Sequence, residues 1–198
     1  SLMQHSQFIL QRIGYPELAK LSSCDDIISN AIDILVRECL SKWGHINVEL
    51  NDDTLSDEAR QEKANEIIEY LENRLNDLNV RSLLYTACKK AFGFGGVGIY
   101  LAFKGNQDLG KEVIISNETK DNKLIDIRVV EPWLFAPSEV NFSNPLESDY
   151  MKPQKWYVTG AGMVHTSRLL TLQFFEVADL IKPLYNFMGI SLCQLMLD

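Results

Sequence analysis

Apolar positions in the first half of the chain recur at three- and four-residue intervals. From Cys24 to Leu40, the residues Ile27, Ile28, Ala31, Ile34, Leu35 and Cys39 keep this rhythm, which predicts an amphipathic helix. Asp25 and Asp26 stand in its first turn, where carboxylates suit the positive end of the helix dipole, and Gly44 stops it. His45 to Leu50 alternates, predicting a short strand. Ser56 is then a natural N-cap, with Asp57 and Glu58 just inside a second helix. Its apolar residues Ala64, Ile67, Ile68, Leu71, Leu75 and Leu78 fall at offsets 0, 3, 4, 7, 11 and 14, a narrow stripe on a long polar helix. A further helix carries Val80, Leu83, Leu84, Ala87 and Ala91 on one side.

The rhythm changes at Phe92. Gly93-Phe94-Gly95-Gly96-Val97-Gly98 is expected to break the helix, and Ile99 to Phe103 resumes as a β-branched and aromatic run. Strands are predicted at Glu112–Ser116, Leu124–Val130, Lys155–Thr159, Met163–His165 and Leu169–Phe174. Turn chemistry separates them: Gly105-Asn106, Asp121-Asn122, Pro132, Pro137, Pro145 and Gly160-Ala161-Gly162. After Pro183 an apolar helical run resumes and reaches Asp198 with no C-cap glycine. A helix apolar on nearly every side should be covered by more protein, so the run from Leu184 onward predicts self-association or docking. It also gives the expectation that the chain is a piece of something longer. The fold class expected is α+β. A helical segment covers 3–92, a mostly antiparallel β-rich segment 93–175, and the start of a helix 176–198, with Ser1-Leu2 before Met3 set apart as an expression remnant.

Composition narrows the function. The 198 residues are 46% hydrophobic and 23% charged, enough for one sizeable domain with an ordinary core. Nineteen Lys+Arg against 27 Asp+Glu give a net charge of −8, which disfavours a protein that wraps its surface around phosphates. Residues 49–79 hold ten acids and three bases, a local −7 that accounts for nearly all of it. That stretch reads either as a solvated helix face or as an acidic surface aimed at something it must not bind tightly. No run reaches the roughly 18 apolar residues of a membrane span, and no basic-then-apolar start marks a secretion signal. Cys24, Cys39, Cys88 and Cys193 are far apart, so buried reduced thiols in a reducing cytoplasm are expected.

Three motifs carry candidate chemistry. Gly93-x-Gly95-x-x-Gly98 matches the dinucleotide fingerprint by letter, but that site needs a strand before it and a helix after it. Here the order is reversed, so the glycines read as a helix stop with close backbone packing, and no cofactor is expected. His165-Thr166-Ser167-Arg168 resembles half of a Ser/His pair or of a 2H phosphoesterase tetrad. Neighbours on a strand point to opposite faces, no G-x-S-x-G elbow exists, and His5-Ser6-Gln7 and His45-Ile46-Asn47 supply no second copy. Three scattered histidines suggest no metal site. No catalytic residue is expected. Lys89, Lys90 and Arg168 are too sparse for a phosphate-neutralising stripe, and Trp133, Trp156 and Tyr157 read as core.

Read in order, several of these pieces resemble the portal proteins of tailed bacteriophages, specifically the family once catalogued as DUF1073 (phage-related, portal-like). Gly14-Tyr15-Pro16-Glu17-Leu18-Ala19 leads into the helix that ends near Trp43, similar to that family's pair of helices, then Trp, then a long helix. Phe94-Gly95-Gly96-Val97-Gly98-Ile99-Tyr100 resembles its helix, Gly-Gly pair and apolar strand. Trp156-Tyr157-Val158 followed by Met163 to Leu170 resembles its strand pair around His165, Ser167 and Arg168. Gly189-Ile190-Ser191-Leu192-Cys193-Gln194 resembles the G-x-S-x-x-Q that opens the next helix. The resemblance spans most of 8–198, although the chain stops where portals continue into stem and clip, and Asp149 to Pro153 has no family word.

The resemblance implies a portal wing-like fragment, non-catalytic, from a ring that is usually a dodecamer at one capsid vertex of the virion. Its partners would be copies of itself, the terminase, capsid and head-completion proteins, and duplex DNA in transient, non-specific contact, with assembly in the bacterial host cytoplasm. Gly95, Gly96, His165, Ser167, Arg168, Gly189, Ser191 and Gln194 would then be structural. Glu62, Glu66, Glu69 and Glu72 form a candidate acidic channel face, since a lining that neutralises few phosphates lets DNA slide. The competing readings are the N-terminal part of a phage protein tied to cyclic-nucleotide phosphodiesterase activity, and a defective prophage remnant.

Overall fold

The computed structural model describes residues 12–51, 54, 56–105, 108–113 and 123–197. Pro16 in its first turn helps to open α1 (Tyr15–Cys24), which buries Leu18 and Ser22. The chain then turns at Asp25, whose carboxylate accepts the amides of Ile27 and Ile28, each at 3.0 Å. Asp25 is therefore the N-cap of α2 (Asp26–Cys39) and not a first-turn residue, and Cys24 closes the preceding helix. The buried row on α2 is Ile28, Ile32 and Val36, while Ile27, Ile34 and Leu35 stay exposed. The apolar arc of α2 is wider than the surface α1, α4 and α5 offer it, so part of the predicted core face lies outside.

Between Ile46 and Leu50 the predicted alternation survives in burial, with 46, 48 and 50 half-buried and 45, 47 and 49 exposed. No strand forms there, because among the described residues nothing pairs with it. Ser56 caps α3 (Asp57–Asp77) by accepting the Ala59 amide at 3.3 Å. Only Ala64 is buried on this helix; Ile67 and Leu71 of the predicted stripe are exposed. The next helix, α4 (Val80–Phe94), runs through Gly93 and stops at Gly95. The expected break at Gly93 does not occur, and its missing side chain lets Ser22 of α1 come close.

Two antiparallel sheets follow. In the first, β1 (Val97–Phe103) lies between β2 (Leu124–Val130) and β6 (Leu169–Leu172), with Gly98 opposite Val130 on one side and Thr171 on the other. In the second, β4 (Pro153–Val158) lies between β3 (Phe135–Val140) and β5 (Gly162–His165). The sequence gives no hint of β3, since Pro137 reads as a turn. As an edge strand, paired among the described residues with β4 alone, it tolerates a residue without an amide. The predicted strand at Glu112–Ser116 is not formed at Glu112 and Val113, and its remainder, like Asn106, Asp121-Asn122, His5 and Ser1-Leu2, lies outside the described residues.

Sheet one packs on α4 through Ala87, Ala91 and Val97. The helices share a core of Leu18, Ile28, Ile32, Val36, Phe92, Phe94 and Cys193, with Phe92 stacked on Phe174 at 4.1 Å. A second core joins the sheets through Phe135, Trp156, Val164, Leu169 and Met188. Of the aromatics expected inside, Trp156 is buried, whereas Trp133 and Tyr157 are exposed. The apolar helix expected after Pro183 is interrupted. A 3-10 turn (Asp179–Tyr185) leads into Asn186 and Phe187, both with positive φ, and α5 is confined to Leu192–Leu197. The fold is α+β: helices in the first half, antiparallel sheets in the middle, a short helix at the C-terminal end.

Candidate functional site

Two glycine words, nearly a hundred positions apart in the chain, meet at one point. Gly95 ends α4 with φ +87°, the left-handed region that favours glycine, and its amide bonds the Ala91 carbonyl. Its own carbonyl accepts the Gly189 amide at 2.9 Å, and the Ile190 amide reaches the Phe175 carbonyl at 2.9 Å. A Cβ on Gly95 would lie 2.2 Å from the Gly189 oxygen, and one on Gly189 would lie 2.2 Å from the Phe175 oxygen. Gly96 is pressed against Met188. Just beyond the crossing, Ser191 Oγ accepts the Gln194 amide at 3.0 Å, and the buried Gln194 amide group reaches the Tyr185 hydroxyl at 3.4 Å. The helix stop, the strand start and the last helix are thus tied through main chain.

At the opposite end of β1, residues His165 to Arg168 form a clasp. The strand ends at His165 and the chain turns, and His165 and Ser167, two residues apart, meet with Nδ1 and Oγ 2.9 Å from each other; the rule of opposite faces holds for adjacent residues and does not separate this pair. The Ser167 amide also donates to Nδ1 at 3.2 Å, and the Val113 amide donates to Ser167 Oγ at 2.9 Å. With Nδ1 accepting, this network assigns the ring proton to Nε2. Arg168 is 2% exposed; its Nε donates to the Lys111 carbonyl at 3.3 Å and its guanidinium lies 5.9 Å from the Phe103 ring centre. The Leu101 amide donates to the Arg168 carbonyl and the His165 amide to that of Leu109, both at 2.8 Å. Together these bonds fasten Leu109, Lys111 and Val113 to the end of β5 and to the turn that leads from it into β6. Among the described residues no carboxylate is hydrogen-bonded to His165.

The third feature is electrostatic. Glu62, Glu66, Glu69 and Glu72 share one face of α3, all exposed, and among the described residues none forms an ion pair. Several charges elsewhere are matched: Lys89 with Asp33 at 2.7 Å, Lys90 with Glu131, and Lys182 with Asp179 at 2.7 Å. The comb is therefore a row of unneutralised negative charge on a helix that the body of the chain barely grips.

These arrangements hold backbone together and present charge. Around Gly93–Gly98 the order is helix then strand, with Gly93 inside α4 and Gly98 inside β1. Among the described residues no group of three or more His, Cys, Asp or Glu could hold a metal ion, and no helix is long and apolar enough to cross a membrane. Cys24 and Cys39 are exposed, against the expectation of four buried thiols. Burial raises the Cys88 and Cys193 thiols above the ordinary range, which makes them poor nucleophiles. A family model described as phage portal protein matches residues 17–198. The chain belongs to the phage portal protein family. No curated protein matches it. Family membership carries a structural role in the phage portal, as a virion component within an oligomeric ring that meets head and packaging partners.

In this portal chain three fastenings escape sequence reasoning. Asn186, left-handed at φ 55°, donates its side-chain amide to the carbonyls of Pro132 (3.2 Å) and Phe135 (2.9 Å), which joins the C-terminal turn to the start of sheet two. The side chain of Arg12 donates to the Leu184 carbonyl and sits over the rings of Tyr15 and Tyr185, at 4.7 and 5.6 Å. Asp25 caps α2. Asp25 had a signal, an acid two residues before the apolar rhythm that starts at Ile27; the bonds of Asn186 to Pro132 and Phe135 and of Arg12 to Leu184 span long sequence separations and had none.

Proposed function

We propose that the chain is a subunit of a dodecameric portal ring through which the terminase motor packages duplex DNA and from which the DNA is later ejected. In this reading Glu62, Glu66, Glu69 and Glu72 face the DNA path. The observation that carries it is the comb itself: four exposed carboxylates on one helix face with no ion-pair partner among the described residues. Each phosphate that a lining neutralises releases counterions and adds salt-sensitive affinity, so a basic face would act as a brake. An acidic face repels the backbone and lets it slide. The glycine crossing and the His165–Arg168 clasp are rigid fastenings, and the reading assigns the chain no reaction. Capsid and head-completion proteins are its further partners, assembly takes place in the host cytoplasm, and the subgroup is the DUF1073-like portals.

Reversing Glu62, Glu66, Glu69 and Glu72 to Lys in the phage-encoded full-length protein tests this. Packaging and retention of DNA are measured in assembled particles. Slower packaging that recovers with added salt supports a channel lining; unchanged packaging and retention remove the lumen assignment.

A further inference from the structure

One side of α1 is open from the residue that leads into it to its last turn. Ile13, Glu17, Lys20, Leu21 and Cys24 are spaced by four, three, one and three residues, which sets them on one face. With Asp25 and with Leu197 of α5 they line a groove of about 420 Å³. Eleven residues separate Ile13 from Cys24, about 16 Å along the helix. Cys24 is exposed and Leu197 is 58% exposed, so among the described residues the groove is uncovered. Its lining is apolar at Ile13, Leu21, Cys24 and Leu197, and two acids against one base leave it at −1.

The chain itself delivers an occupant. The stretch just before the described residues, Met3 to Gln11, holds the apolar triplet Phe8-Ile9-Leu10 and has no Asp, Glu, Lys or Arg. Ile13 stands at N′ of α1 and Leu18 at N4, and both join one core cluster, a hydrophobic staple that fixes how the chain enters the helix. Leu10 is three residues from Ile13 and Phe8 five, so extended backbone carries them at most about 11 and 18 Å from it. That reach matches the groove. A segment tethered so closely is presented at an effective concentration on the order of millimolar, against which a second copy or another protein in solution competes poorly. Being uncharged, the triplet also meets the acidic lining without repulsion.

We propose that Phe8, Ile9 and Leu10 fold back along α1 as a strap that fills this groove, packing on Leu21 and Leu197 and covering the Cys24 thiol. The strap ties the start of the chain to α5 across α1, and it stands apart from the ring reading above.

Thiol labelling tests it, because Cys24 lines the groove, Cys39 is exposed at the end of α2 and does not line it, and Cys88 and Cys193 are buried. Reaction with N-ethylmaleimide is followed at each cysteine by mass spectrometry, with circular dichroism and the unfolding midpoint monitoring the fold. In the full chain, Phe8→Asp, Ile9→Asp and Leu10→Asp together should speed labelling of Cys24 at least about tenfold and leave Cys39 unchanged. Phe8→Leu, which keeps an apolar strap, should label like the parent. Gln7→Cys leaves the triplet intact and lies within about 21 Å of Ile13. With oxidised glutathione it should form a disulfide to Cys24 within one chain, which migrates as a monomer without reductant. Equal Cys24 rates in the parent and the triple-Asp chain overturn the strap. So does a Gln7→Cys chain that gives no bond to Cys24, or bonds only between copies. Where the triple change speeds Cys24 and Cys39 alike, the fold has loosened and the disulfide decides: an intrachain bond upholds the strap and its absence overturns it.

Discussion

The amide of Gly189 donates to the carbonyl of Gly95 at 2.9 Å, at a point where neither residue has room for a side chain. Gly95→Ala meets both a positive φ and a backbone oxygen 2.2 Å from the new Cβ. It should lose about 2–4 kcal/mol of stability in denaturant unfolding. Gly160→Ala separates the two causes, because Gly160 has φ +80° with nothing within 4 Å and should lose only about 1 kcal/mol. Equal losses at the two sites would mean that the crossing contributes nothing beyond backbone strain.

Ser167 holds a main-chain donor of a segment without regular structure. Ser167→Ala leaves the Val113 amide without its acceptor, at a stability cost of about 1–2 kcal/mol. Hydrogen exchange at the Val113 amide should quicken, whereas Ser167→Thr, which keeps the hydroxyl, should protect it. Unchanged exchange in Ser167→Ala would show that the clasp does not hold this segment.

What the sequence revealed and what it hid follow from the range of each interaction. Ser56 at the start of α3 and all of β2 were legible because capping and alternation are local. The α2 core face was misassigned because periodicity shows that Ile27 and Ile28 are both apolar, not which of them a neighbouring helix will cover. Strand β3 was hidden by Pro137, whose tolerance depends on standing at a sheet edge. The final helix was overextended because Asn186 and Phe187 leave the helical region to satisfy contacts with Pro132 and with the second core. Among the candidate site residues, the glycine words and the His165–Arg168 word were visible as text, but their meeting partners, Phe175 and Val113, are set by tertiary structure alone.

Asp33 links α2 to α4, accepting from Lys89 at 2.7 Å and from the Tyr85 hydroxyl at 3.4 Å. The Lys89 hydrogen bond holds its carboxyl below the ordinary value of 3.8. A carboxyl depressed in the folded state binds its proton more readily when unfolded. Its contribution is therefore complete above the ordinary value and fades as pH falls below it. Unfolding midpoints measured from pH 6 to pH 2.5 should show a loss at the acid end that Asp33→Asn flattens. Parallel curves for the two proteins would show that the pair does not couple folding to protons.

The glutamate comb makes a last prediction that concerns the fold and not the phage. Glu62 and Glu66 are four residues apart, and Glu66–Glu69 and Glu69–Glu72 are three apart, spacings at which like charges on a helix repel by about 0.2–0.5 kcal/mol per pair. No cation relieves them among the described residues. Replacing all four by Gln should therefore raise the stability of α3, by about 1 kcal/mol at low ionic strength if the three pairs add. Because the side chains are exposed, the gain should shrink as salt rises toward about 1 M, where the screening length falls to about 3 Å. Thermal unfolding of the parent and the four-Gln chain at 10 mM and 1 M salt measures both effects. A destabilised four-Gln chain would show that these carboxylates serve the fold. A stabilised one would show that the chain carries the comb against its own stability, as a face meant for something outside it.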